Sequence, residues 1–318
     1  MAKQKVKIIF ALCCMLAILL CAAVLVAFNV PIVWILVLLT VLMTFITAAV
    51  LWRYVIREPN PYEDLELAIE QNEIVPLYQP IVHSDTGDVY GVEVLARWAT
   101  PSGELVSPAS FIPMAEESGL IIPLTRNLMA QAALELPAIL ATSKNPFHVS
   151  FNFTTSHIQS DTFIEDCRTF LGRFPKERIR LTAEILEREP FEKVAALKET
   201  LALMQAHDVT IALDDFGTGY SNLNYLNALP IDLIKIDKIF INGLTYEDTS
   251  TRLIDLVIDM AKSLKLSVLV EGVETSYQVE YLRKKKVDYF QGYFFSPPVR
   301  ADELASWMAR DATTYFTK

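Results

Sequence analysis

Hydrophobic and polar positions divide the chain into two regimes. From Ile8 to Trp52 no residue is charged. From about residue 75 onward, apolar stretches of strand length alternate with stretches of helical length, the signature of an α/β fold. Val75–His83 and Val89–Trp98 flank Ser84-Asp85-Thr86-Gly87, a Gly-containing turn, so a hairpin of antiparallel strands is expected first. Further strands are expected near His148–Phe153, Arg180–Glu187, Val209–Asp215, Leu233–Asp237, Ser267–Glu271 and Tyr289–Tyr293. Helices over Ser110–Glu117, Leu124–Ala141, Phe191–His207, Ser250–Leu264 and Ser276–Lys285 fill most of the intervals. Eight strands in about 240 residues is the scale of a TIM-like (β/α)8 barrel, typically about 250 residues long. The antiparallel first strand is a departure from the standard barrel.

The uncharged N-terminal run asks for a different solvent. A helix needs about 20 apolar residues to cross a bilayer. The 45 positions from 8 to 52 suit two crossings, with Asn29-Val30-Pro31 as the turn between them. The expected organisation is a transmembrane hairpin over 1–56, with helices at about 7–28 and 31–53. A linker and short helix follow over 57–74, and the barrel domain covers 63–318. Lys3, Lys5 and Lys7 precede the first crossing while Arg53 and Arg57 follow the second. The positive-inside tendency then places both ends in the cytoplasm. A cleaved signal peptide is the rival reading, but its apolar core would span only about 7–15 residues.

Charge is as unevenly placed as hydropathy. Residues 1–60 hold those five basic residues against Glu58, a balance of +4; the remaining 23 basic and 37 acidic residues give −14, for a net charge of −10. So acidic a domain is not built to grip nucleic acid through its phosphates. A small anionic substrate fits if bound cations invert the local field. Cys13, Cys14, Cys21 and Cys167 show no C-x-x-C spacing, which supports neither a disulfide framework nor a zinc knuckle. His83, His148, His157 and His207 show no ligand spacing and are read as structural.

The chemistry lies in the polar residue that each apolar strand offers. The first strand has Gln79, the second Glu93 and Arg97, the third Asn152, the fourth Glu184 and Glu187. The fifth ends in Asp214 and Asp215, the sixth has Lys235 and Asp237, the seventh Glu271 and the eighth Gln291. A carboxylate at the end of a buried strand is costly unless a metal or counter-ion compensates it. In a barrel such strand ends converge on one mouth, where catalysis sits. Oxygen donors without His or Cys favour hard cations such as Mg²⁺ or Mn²⁺ over zinc.

Eight segments carry a family resemblance. G-V-E-V-L-A-R-W (Gly91–Trp98) resembles the signature of the EAL family of cyclic di-GMP phosphodiesterases. So do Y-Q-P-I-V (Tyr78–Val82), F-I-P-M-A-E (Phe111–Glu116), A-E-I-L-E (Ala183–Glu187), D-D-F-G-T-G-Y-S (Asp214–Ser221), K-I-D (Lys235–Asp237), V-E-G-V-E-T (Val270–Thr275) and F-Q-G-Y-F-F-S-P-P (Phe290–Pro298). The likeness covers roughly residues 63–312. Three departures stand out: Val94 replaces the namesake alanine, Asn222 replaces the second of two serines, and Ala183 replaces a leucine. None removes an acid.

The resemblance implies hydrolysis of cyclic di-GMP to linear pGpG with two divalent ions, Mg²⁺ or Mn²⁺, per site. It implies that Glu93, Asn152, Glu184 and Asp214 hold one ion, with Asp214 bridging to a second completed by Asp215. Lys235 would hold the attacking water, and Glu271 would be either general base or metal ligand. Gln79, Leu95, Arg97, Asp237 and Gln291 would contact the substrate. In the family the loop after Asp215 couples metal binding to dimerisation, with Glu187 resembling its anchor, so a homodimer is expected. With the hairpin, the expected location is the bacterial inner membrane, multi-pass, with the catalytic domain in the cytoplasm. The competing class is a catalytically silent cyclic di-GMP receptor that signals through a partner protein.

Overall fold

The computed structural model describes residues 31–51, 60–100, 103–140, 146–186, 194–217, 226, 228–244 and 251–309. The chain divides into two compact units, Met1–Asp64 and Leu65–Lys318.

The second unit is a closed barrel. Its strands are β1 (Ile74–His83), β2 (Val89–Ala99), β3 (Leu105–Val106), β4 (Phe147–Phe153), β5 (Ile179–Leu186), β6 (Thr210–Phe216), β7 (Leu233–Ile236), β8 (Ser267–Val270) and β9 (Tyr289–Gln291). They run in the order β1-β9-β8-β7-β6-β5-β4-β2-β3, and a further pairing of β1 with β2 closes the ring. From β2 through β4 to β9 every neighbouring pair of staves is parallel. β1 is antiparallel to both neighbours, β2 and β9. The turn that reverses the chain needs its glycine. Gly87 has φ 76°, and its N–H donates to the His83 carbonyl at 2.9 Å. β3, which the pattern did not predict, adds two residues antiparallel to β2 outside the ring.

Strand alternation explains the core. In β5, Leu181, Ala183 and Ile185 are fully buried on one face, and they belong to the apolar cluster that joins the barrel wall to the helices. Thr182 and Glu184 occupy the other face, toward the barrel interior. Outside, Ile121–Leu140 buries Leu124, Leu128, Ala132 and Leu136 at helical spacing. Gly119, at φ 75°, ends the preceding helix Pro108–Ser118 in the left-handed conformation. Thr275 and Gln278 form a reciprocal capping box that starts Ser276–Lys284.

The first unit contains the helix Pro31–Leu51, within which Thr40, Thr44 and Thr47 donate back to carbonyls of the preceding turn. Among the described residues no helix is long and apolar enough to cross a membrane. That finding overturns the expected multi-pass placement in the bacterial inner membrane with a cytoplasmic barrel. The first expected span, 7–28, and residues 57–59 of the expected linker lie outside the described residues, while the expected short helix is found at Pro61–Glu70.

Candidate active site

Seven staves and one following loop each deliver a polar side chain to the same end of the barrel. Register does the first part of this. Gln79 of β1 lies opposite Glu93 of β2, Asn152 of β4 lies beside Glu184 of β5, and Ile81 of β1 faces Gln291 of β9. The centre is Lys235 of β7, whose side chain is 1% exposed. Its Nζ lies 2.7 Å from Glu184 Oε2, 2.7 Å from Glu271 Oε1, 3.2 Å from Asp214 Oδ1 and 3.3 Å from Glu93 Oε2. Asn152 Nδ2 donates to Glu93 Oε1 at 2.9 Å. Gln291 Nε2 donates to Glu93 Oε2 at 2.7 Å and to Gln79 Oε1 at 3.1 Å. Residues spread over more than two hundred positions thus form one hydrogen-bonded network.

Four carboxyls, three of them buried and Glu271 half-buried, surround one ammonium and leave an excess of negative charge that shifts their proton affinities. Burial alone would lower the Lys235 pKa, but Asp214, Glu184, Glu271 and Glu93 outweigh it and hold the ammonium charged well above its ordinary range. Burial also opposes ionisation of Glu93. There Lys235 and the hydrogen bonds from Gln291 and Asn152 win, and its pKa falls below the usual carboxylate value. Glu184 goes the other way, pushed well up by burial and by the charge of Glu93 against the pull of Lys235. Asp214 is raised by burial, and burial pushes Glu271 up to about 8.

Backbone irregularity sets the two adjacent acids. The β6–β7 register shifts between Leu213 and Phe216, and Asp215 has φ 53°. Its N–H donates to Asp214 Oδ1 at 2.8 Å. Successive carboxylates therefore escape strict strand alternation: Asp214 is buried and Asp215 half-exposed.

Above the network lies a cleft of about 350 Å³ lined by Gln79, Glu93, Leu95, Asp214, Asp237, Lys238, Glu271, Gly272, Glu274, Gln291, Gly292 and Tyr293. Leu95 and Asp237 are among the residues that line this cleft. Asp237 also accepts from the Ile239 N–H at 2.8 Å, starting a single 3₁₀ turn over Lys238–Phe240. Arg97 lies outside that lining: its Nη1 donates to the Ala96 carbonyl at 2.7 Å. Glu187 and the loop from 218 to 225 fall outside the described residues. Lys238, Glu274 and Tyr293 were missed in the sequence. Each lies within three residues of a motif acid or amide, and that proximity was the available signal.

The donor set suits a hard divalent cation. It is all oxygen, with carboxylates in excess over the one ammonium. Gln291 Oε1 is in addition buried with no hydrogen-bond partner among the described residues. The carboxylates are drawn onto Lys235, and among the described residues no three acid, His or Cys side chains stand arranged as ligands of a metal ion.

Fold and site together define a (β/α)8-barrel protein with an acidic, oxygen-donor mouth. The EAL domain family matches residues 62–298, and the chain belongs to that family. It is similar to the Probable cyclic di-GMP phosphodiesterase PdeG of Escherichia coli (strain K12), 45% identical over 257 residues, 81% of this chain and 51% of that protein. It therefore spans about half the length of that relative. The Cyclic di-GMP phosphodiesterase PdeL of the same organism is 36% identical over 78% of this chain and 69% of its own length. Among solved structures, the "PaMucR Phosphodiesterase, c-di-GMP complex" superposes with a TM-score of 0.69 at 31% identity, covering 77% of this chain and 99% of that one.

Proposed function

We propose that this chain hydrolyses cyclic di-GMP to linear pGpG. The observation that carries the reading is the charge-deficient ring of Glu93, Glu184, Asp214 and Glu271 around Lys235 at the floor of the cleft. The names of the relatives support the substrate. Glu93, Asn152, Glu184 and Asp214 would hold one divalent ion, Mg²⁺ or Mn²⁺. Asp214 and Asp215 would hold a second, with Glu271 beside them. Such ions neutralise phosphodiester oxygens and acidify water.

The residues supply the rest. The ammonium of Lys235, kept charged by four carboxyls, stabilises the charge that develops on the phosphoryl oxygens. Glu271, which bound divalent ions would deprotonate, takes a proton from the attacking water. Water oxygen joins phosphorus, the bond to the ribose 3′ oxygen breaks, and that oxygen takes a proton from solvent and leaves as a hydroxyl. Gln79, Leu95, Asp237 and Gln291 hold the nucleotide in the cleft. Arg97 reaches it only by leaving the Ala96 carbonyl.

A homodimer belongs to the same proposal. Leu253 and Leu256, 57% and 66% exposed, lie one turn apart on the helix Thr251–Ser263 and offer apolar surface for pairing. Purified protein incubated with cyclic di-GMP and Mg²⁺ or Mn²⁺, then chromatographed, should release pGpG, and EDTA should stop the release. Sedimentation of the same sample should show the dimer.

A further inference from the structure

The cleft has an acidic lining and a single cation. Of the described residues that line it, Glu93, Asp214, Asp237, Glu271 and Glu274 are acids and Lys238 alone is basic. Lys235 lies beneath, shared among four carboxyls. Lys238 is exposed, and no ion pair ties it to another described residue.

Its position is built by the fold. The turn Lys238–Phe240 is pinned between the ends of β6 and β8 by two glycines of positive φ. A Cβ on Gly217 (φ 91°) would come 2.3 Å from Phe240 Cζ, and a Cβ on Gly272 (φ 64°) would come 2.3 Å from Lys238 Cβ and 3.4 Å from its Cδ. No side chain fits at either place. The Lys238 stem therefore lies across Gly272, next to Glu271, at the edge of the cleft.

Cyclic di-GMP has two phosphodiesters in one ring, each carrying a negative charge. One is cut at the network floor. The other must sit in the same acidic cleft away from that centre, where Asp237 and Glu274 would repel it. A flexible ammonium is a point-charge partner for such a phosphate. We propose that Lys238 binds the second, uncut phosphodiester and so selects cyclic dinucleotides over diesters with a single phosphate. This subsite rests on the phosphodiesterase reading above.

The experiment compares wild type, Lys238→Ala, Lys238→Glu and Lys238→Arg on cyclic di-GMP and on bis(p-nitrophenyl) phosphate, a diester with one phosphate. On cyclic di-GMP, KM should rise about tenfold in Lys238→Ala and further in Lys238→Glu. Lys238→Arg should restore most of the loss, and kcat should change far less than KM. On bis(p-nitrophenyl) phosphate the four proteins should match within about twofold. An unchanged KM for cyclic di-GMP in an active Lys238→Glu protein overturns the subsite, as does an equal loss on both substrates. A wild type that hydrolyses neither compound overturns the phosphodiesterase reading itself, and the subsite with it.

Discussion

The two mouths of the barrel are made from the same strands yet obey opposite chemistry. At the end carrying Glu93, Glu184, Asp214 and Glu271, buried charge gathers on Lys235. At the other end, rings close the interior. Tyr90 stacks on His148 with centroids 3.9 Å apart and meets Tyr289 at 3.9 Å, while His83 lies 5.4 Å from Tyr90 and 5.3 Å from Tyr289. Gly91 makes the stack possible, because a Cβ there would come 2.1 Å from the His148 carbonyl oxygen. One end is arranged to hold charge that is unfavourable without a ligand, and the other to be filled without one. Function and stability are thus separated along the barrel axis, as the architecture allows.

That division can be broken by substitution at each end. The largest effect belongs to Glu93→Ala, which removes a carboxylate bonded to Asn152, Gln291 and Lys235. Release of pGpG should drop by about 10³ or more. A large stability loss with activity retained would reverse the assignment of this end. Tyr90→Ala should do the opposite. Losing a half-buried ring from the stack should cost about 2 kcal/mol in a urea titration, with kcat on cyclic di-GMP within about twofold of wild type.

A smaller effect distinguishes the ends by pH. Burial raises the folded pKa of Glu271 from 4.5 to about 8. Below 4.5 both folded and unfolded forms hold the proton, and this carboxyl costs nothing. Between 4.5 and about 8 the unfolded form gives it up first, so stability should fall as pH rises and then level off. Melting of metal-free protein should show that decline, and saturating Mg²⁺ should flatten it. Melting curves independent of pH in both conditions would mean that the cluster does not store protons.

Much of this was legible in the chain, for identifiable reasons. Alternation located the eight staves to within a few residues, because each is buried on both sides and bounded by turn chemistry. β3 escaped notice since two residues, Leu105 and Val106, cannot display a period. The network was readable because each strand carried at least one polar residue and a closed barrel must bring the strand ends together. Arg97 was expected at the substrate, yet its guanidinium folds onto its own strand, a rotamer choice that sequence does not encode. Lys238 offered only its place beside Asp237. Its place depends on Gly217 and Gly272, which meet the turn only after the strands have closed. At the N-terminus, uncharged length alone suggested two crossings, and no described helix meets the requirement for one.

The central claim is that the charged mouth performs chemistry and does more than bind. The direct test pairs nucleotide affinity with pGpG release, in Mg²⁺ and in Mn²⁺, for wild type and Lys235→Ala. The expected result is tight binding by both proteins, with turnover in wild type and a loss of about 10²–10³ in the variant. Tight binding of cyclic di-GMP by wild type without pGpG in either metal would contradict the account and make the chain a receptor.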